Sequence, residues 1–117
     1  MTDQPFQKDI EQGNSALTTG NYAEALACFE RALEAMPDDA RINAKVGAAQ
    51  YKLRNYPAAI KHLEYANELK PGDRELLYSL GMVYIKAGEK TKALATYDKL
   101  KKLNPEKAEE LYRAIYA

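Results

Sequence analysis

The sequence predicts an all-α chain of seven helices built on an internal repeat, and three observations carry that expectation. Pro37, Pro71 and Pro105 fall 34 residues apart, and Gly13, Gly47, Gly81 and Ala25, Ala59, Ala93 keep the same interval. Within each interval apolar residues recur at three- and four-residue steps, the stripe of an amphipathic helix. The β-branched residues are scattered and nowhere alternate over five positions, so no strand is expected.

The interval divides the chain into units 6–39, 40–73 and 74–107, each read as two helices. In the first unit, helix 6–19 stops at Gly20, and helix 22–35 carries Ala25, Leu26, Phe29, Ala32 and Leu33. In the second, helices 40–53 and 56–69 meet at Arg54-Asn55, where the glycine is missing. Asn tolerates the left-handed conformation best after Gly, so Asn55 is expected to take the turn. Pro57 then sits near a helix start, where its missing N–H costs nothing. Asp39 and Asp73 follow the loop prolines and suit the N-caps of the next helices. In the third unit, helix 74–87 carries Leu76, Leu77, Leu80, Val83, Tyr84 and Ala87 up to Gly88. Helix 90–103 carries Ala93, Leu94, Tyr97, Leu100 and Leu103 up to Asn104-Pro105. A last helix near 106–116 puts Ala108, Leu111 and Ile115 on one face, away from Glu106, Lys107, Glu109, Glu110 and Arg113. Tyr112 and Tyr116 are expected to turn their rings inward, since Tyr buries its ring while wetting its hydroxyl.

A length of 117 residues suits one domain, and an initial Met1 with three whole units favours a complete small protein or a tidy single domain. The chain is 46% hydrophobic and 29% charged with no net sign, a balance that excludes a disordered chain. Seventeen basic and seventeen acidic side chains also argue against phosphate-backbone binding, so no nucleic-acid partner is expected. No apolar run approaches the roughly 20 residues of a membrane span, so membrane insertion is not expected. The polar start, Met1 to Pro5, lacks a signal pattern. The single Cys28 forms no internal disulfide and suits a reducing compartment, which makes a cytoplasmic location the expectation.

Catalytic chemistry is sparse. Cys28, His62 and Thr96 share one phase of the repeat, so stacking would separate them by on the order of 10 Å, too far for a shared metal. His62 is expected on the surface and Cys28 partly buried. The glycines are isolated rather than gathered in a phosphate loop. Ser15 and Ser79 have no His at a spacing suited to a nucleophile–base pair. Glu109-Glu110 reads as a solvated helix face. No catalytic residue, metal ligand or cofactor is assigned, and an enzyme is not expected.

The period and its small-residue phasing resemble the tetratricopeptide repeat (TPR) family, over about 102 of the 117 residues. The third unit matches best, with Leu77, Leu80, Gly81, Tyr84, Ala93, Tyr97 and Pro105. The second keeps Gly47, Tyr56, Ala59, Leu63, Ala66 and Pro71. The first keeps Gly13, Gly20, Tyr22, Ala25, Phe29, Ala32 and Pro37. Departures are Asp9 and Asn43 for a bulky residue, Ala16 and Gln50 for a Tyr, and Lys90 and Leu100 for a later Tyr and Ala. The resemblance implies a right-handed α-α superhelix, a TPR solenoid of seven helices in a single domain over 1–117, with residues 106–117 as the capping helix. It also implies that Tyr22, Tyr56, Tyr84 and Tyr97 belong to the core, whereas Tyr51, Tyr65 and Tyr78 do not.

In the family the first helix of each pair lines a concave groove. Carried over, that implies a partner-binding groove lined by Ile10, Asn14 and Leu17 from the first unit, with Gln7, Glu11 and Thr18 beside them. The second unit would contribute Arg41, Ala44, Lys45, Ala48, Tyr51 and Lys52. The third would contribute Tyr78, Met82, Ile85 and Lys86, with Glu75 and Ser79. Such a mixture of apolar and cationic groups suits a protein or peptide with an apolar anchor and acidic groups. A non-catalytic interaction module or scaffold is the function implied. One TPR subclass clamps the terminal carboxylate of heat-shock chaperones with Lys, Asn and Arg. The matching positions here are Ile10, Asn14, Lys45, Glu75 and Ser79; only Asn14 agrees and Glu75 has the wrong sign, so that clamp is not expected.

Charge is uneven along the chain. Residues 1–39 hold two basic and eight acidic side chains, and residues 40–117 hold fifteen and nine. A solenoid separates these halves in space, which gives a dipole and an alternative function, weak self-association through the ends.

Overall fold

The structure, a computed structural model, describes residues 5–117; the polar start, Met1 to Gln4, lies outside the described residues. Its helices are α1 (Pro5–Thr18), α2 (Tyr22–Ala35), α3 (Ala40–Lys52), α4 (Tyr56–Leu69), α5 (Arg74–Lys86), α6 (Lys90–Leu103) and α7 (Pro105–Ile115). Among the described residues there is no strand. The fold is an all-helical TPR-type solenoid of three helical hairpins and a closing helix, 46 Å long and 25 by 21 Å across.

Each start and stop has a local cause. The Asp39 carboxylate accepts the Ile42 N–H at 3.0 Å, and the Asp73 carboxylate accepts the Leu76 N–H at 3.0 Å, so both aspartates cap as their position predicts. Pro57 lies in the first turn of α4. Gly20 and Gly88 turn the first and third hairpins at φ 85° and 78°. In the second hairpin it is Arg54, at φ 64°, that takes this left-handed place; Asn55 is the N-cap of α4 at φ −92°. The expectation for Asn55 was therefore one residue off, because Arg54 occupies the phase of Gly20 and Gly88 and the hairpin geometry overrides side-chain preference.

Packing follows the small residues. Ala25, Ala59 and Ala93 have no exposed surface. A methyl group added to Gly47 would stand 2.8 Å from Leu63 Cγ, and one on Gly13 would run into the Phe29 ring. Here the missing side chain sets how closely the two helices of a hairpin approach. Asn43 is buried at 2% exposure, and its amide donates to the Pro37 and Asp39 carbonyls at 3.1 and 2.9 Å. Gln50 is buried beside His62, whose Nδ1 lies 2.9 Å from Gln50 Oε1. His62 is thus half-buried rather than a surface residue, because Gln50 offers it a partner where the family has Tyr. Cys28 is 2% exposed, deeper than expected.

The third hairpin closes differently. Residues 36–39 and 70–73 form four-residue links after the first and second hairpins, but only Asn104 separates α6 from α7. Asn104 ends α6 and caps α7, its side chain accepting the Lys107 N–H at 3.2 Å. Pro105 therefore lies in the first turn of α7 rather than in a loop. The early entry brings Leu111 over Gly81, where an added methyl would stand 2.5 Å from Leu111 Cδ2. Tyr97, the counterpart of Phe29, is displaced to half-exposure and stacks on Tyr112 at 5.3 Å between centroids. Of the four tyrosines assigned to the core, only Tyr84 is buried; Tyr22, Tyr56 and Tyr97 are half-buried. The inward turn expected of Tyr112 and Tyr116 does not occur. They are 43% and 53% exposed and stack on each other at 4.8 Å, because Leu111 and Ala108 already fill the space beneath α7.

Candidate functional site

A cleft of about 970 Å³ opens between α3 and α5. The helical repeat explains its walls. Arg41, Ala44, Ala48 and Tyr51 recur every three or four residues along one face of α3, with Lys52 beside them; Glu75, Tyr78, Ser79 and Met82 do the same on α5. Ala44 and Ala48 leave the space; the Tyr51 and Tyr78 rings and the Met82 thioether line it. Leu63 of α4 and Leu76 and Val83 of α5 form an apolar floor continuous with the core.

The rim is charged. Arg41, Lys52 and Lys70 stand against Asp38, Asp39, Asp73 and Glu75. Three of these carboxylates are already engaged: Asp39 and Asp73 cap helices, and Asp38 accepts from the Tyr65 hydroxyl. That bond holds the Tyr65 phenol above its ordinary pKa. Tyr51 tilts on Tyr56 at 5.8 Å, and the Lys107 ammonium sits 4.5 Å over the Tyr78 ring. Burial, with the Glu110 carboxylate second, raises the Tyr78 pKa. Each tyrosine ring is thereby held against a neighbouring side chain, which suits both to act as fixed walls.

The groove positions taken from the sequence divide into two sets. Arg41, Ala44, Ala48, Tyr51, Lys52, Tyr78 and Met82 meet in the cleft, as do Glu75 and Ser79. Ile10, Asn14, Leu17, Lys45, Ile85 and Lys86 are not among its lining residues. Leu17 packs against the Phe29–Val46 core, and Ile85 against the core beneath α7. Ile10 is half-buried, and Lys86 is exposed. Lys45 turns toward α1, where its ammonium donates to Asn14 Oδ1 at 2.9 Å and stands 5.7 Å from the Phe29 centroid. Burial, and then the positive charge of Arg41, lowers its pKa.

Sequence reasoning missed Leu63, Leu69, Lys70, Leu76 and Val83, together with Asp38, Asp39, Ala40 and Asp73. Leu63, Leu76 and Val83 carry the core stripe and differ from other core residues only in where the curve of the solenoid opens, whereas Leu69 is exposed at the end of α4. Asp38, Asp39, Lys70 and Asp73 flank the loop prolines, and their charge beside a fixed turn was the signal available. Among the described residues, no group of three His, Cys, Asp or Glu side chains is placed to hold a metal.

Two family models, each described as tetratricopeptide repeat, match residues 10–74 and 50–117. The chain belongs to the tetratricopeptide repeat family. This TPR array is similar in structure to the first TPR of Spaghetti (RPAP3) bound to the HSP90 peptide SRMEEVD, with a TM-score of 0.88 and 20% identity over 99% of this chain and 94% of that one. It is also similar to the TPR2B domain of yeast Sti1 in its pHsp70 complex, with a TM-score of 0.85 and 23% identity over 95% of this chain and 93% of that one. The second TPR domain of human RPAP3, solved with the HSP70 peptide SGPTIEEVD, gives 0.85 and 22% over 93% and 92%. No curated protein matches the TPR array in sequence.

Proposed function

We propose that this TPR array is a non-catalytic interaction module, and that the cleft between α3 and α5 receives a peptide or partner helix with an apolar anchor and acidic flanks. The observation that carries the reading is an open apolar cleft walled by Tyr51, Tyr78 and Met82, with Arg41, Lys52 and Lys70 at its rim. Braced aromatic rings supply contact area at little entropic cost, and Met adapts to varied shapes. Structural relatives solved with acidic chaperone peptides support the general mode.

The terminal-carboxylate clamp is not part of the proposal. Ile10, Glu75 and Ser79 stand where that clamp has cations, and Asn14 is tied to Lys45. Internal acidic residues of the ligand, facing Arg41, Lys52 and Lys70, are the better match.

Selection from a random peptide display library tests the reading. Wild-type protein is expected to enrich sequences with an apolar or aromatic residue flanked by Asp or Glu, and a Tyr51→Ala, Met82→Ala double variant to lose them while keeping its helical circular dichroism. Equal enrichment by both proteins would place binding elsewhere.

A further inference from the structure

The two ends of the array differ in charge and in shape. Residues 1–39 carry a net −6 and residues 40–117 a net +6. At the carboxy-terminal end, Tyr97, Tyr112 and Tyr116 form an aromatic ladder, with successive centroids 5.3 and 4.8 Å apart. The Lys90 ammonium lies 4.5 Å over Tyr116, and that of Lys101 lies 5.3 Å over Tyr97. Tyr112 and Tyr116 are among the most exposed large apolar side chains of the described residues. At the other end, α1 and α2 enclose a shallow pocket of about 330 Å³ lined by Glu11, Gln12, Ser15, Ala16, Thr19 and Glu24, with two carboxylates and no cation.

An internal junction shows what such a pocket accepts. Ala16 shares its phase with Tyr84. The Tyr84 hydroxyl donates to Glu64 of the preceding hairpin at 2.5 Å, and the Lys92 ammonium lies 5.9 Å from the Tyr84 ring centroid. The second and third hairpins are thus joined by a tyrosine and a carboxylate, with a lysine beside the ring. At Ala16 the ring is missing, and Glu11 and Glu24 line the space instead; at α7, Tyr112 and Tyr116 are exposed with Lys90 beside them.

We propose that a second copy of this chain is the occupant: the Tyr112–Tyr116 face of one molecule, with Lys90, seats in the Glu11–Glu24 pocket of the next. The contact joins unlike surfaces, so it is head-to-tail and open-ended rather than a closed dimer. Because opposite charges meet at the surface, salt weakens it. None of these residues lines the α3–α5 cleft, so an assembled array keeps its cleft open.

Sedimentation velocity of the chain at low and high salt, with two exposed-residue variants, tests this. Wild type is expected to grow in average mass with concentration at low salt and to sediment as a monomer at high salt. Glu24→Lys spoils only the pocket and Tyr116→Ala only the aromatic face, so each alone is expected to associate at least tenfold more weakly. Mixed in equal amounts, the two variants each keep one good face and should yield a heterodimer that grows no further. A wild-type monomer at every concentration and salt would overturn the proposal. So would a Glu24→Lys variant that associates like wild type, the result expected of a symmetric tyrosine-to-tyrosine dimer.

Discussion

The first two hairpins and the third share a sequence period but not a packing scheme. In the first two, Gly13 and Gly47 face the middle residue of their own second helix, Phe29 and Leu63. In the third, Gly81 faces Leu111 of the closing helix, and Tyr97, the residue in the Phe29 phase, is turned out. One small change in connection produces this: Asn104 alone joins α6 to α7, where four residues join the other hairpins. The lesson is that a repeat fixes which positions are small and which are large, while the length of the connection decides which large residue meets which small one.

Truncating the large partners should break or preserve this contrast most visibly. Phe29→Ala removes a ring with no exposed surface and is expected to cost about 3–5 kcal/mol, and Leu111→Ala about 2–5 kcal/mol. Tyr97→Ala, at the equivalent place in the third hairpin, should cost only about 1 kcal/mol, since its ring is half-exposed. Urea melts of the three variants decide: a Tyr97→Ala loss as large as that of Phe29→Ala would mean the hairpins pack alike.

A double-mutant cycle sharpens the same contrast. Gly81→Ala drives a methyl into Leu111 and should destabilise by about 1–3 kcal/mol, with much of the loss absent in a Leu111→Ala background. Gly47→Ala should behave additively with Leu111→Ala, because its neighbour is Leu63.

A smaller effect concerns the turns. Arg54 stands at positive φ where the other two hairpins have glycine, so Arg54→Gly should stabilise by about 0.5–1 kcal/mol. A thermal midpoint unchanged or lowered would show that the Arg54 turn is unstrained.

The smallest effect is the part of the pH dependence that Lys45 contributes, opposite in sign to that of the raised Tyr65 and Tyr78 phenols. Burial, and then repulsion by Arg41, lower the pKa of Lys45 below its ordinary 10.5. The folded state then releases this proton before the unfolded state does, so stability should rise with pH through the lowered value and level off above the ordinary one. Lys45→Met should flatten that part of the profile in denaturant melts taken across the alkaline range. An unchanged slope would assign the dependence to another group.

The helix count, the Gly20 and Gly88 turns and the Asp39 and Asp73 caps were legible in the sequence because each depends on local residue chemistry at a fixed spacing. The closing turn was not. Pro105 keeps the interval of Pro37 and Pro71, and spacing does not tell a loop proline from one in the first turn of a helix. The misplaced Tyr97, Tyr112 and Tyr116 all stem from that single ambiguity. The cleft was half legible. The family resemblance, carried over unit by unit, implied Tyr51, Tyr78 and Met82, but it treats every unit alike and says nothing about curvature. So it also implied Ile10, Leu17 and Ile85, of which Leu17 and Ile85 pack against the core, and it passed over Leu63, Lys70 and Leu76, which the curve of the solenoid brings to the cleft.

On the proposed function, a ligand binds in the cleft between α3 and α5. A titration of isotopically labelled protein with a display-selected acidic peptide, followed by amide NMR shifts, tests it most directly. The largest shifts are expected at Ala44, Ala48, Tyr51, Tyr78 and Met82, with those of α1 and α7 nearly still. Saturable shifts concentrated on α7 or on the α1–α2 face, with the cleft unmoved, would contradict it.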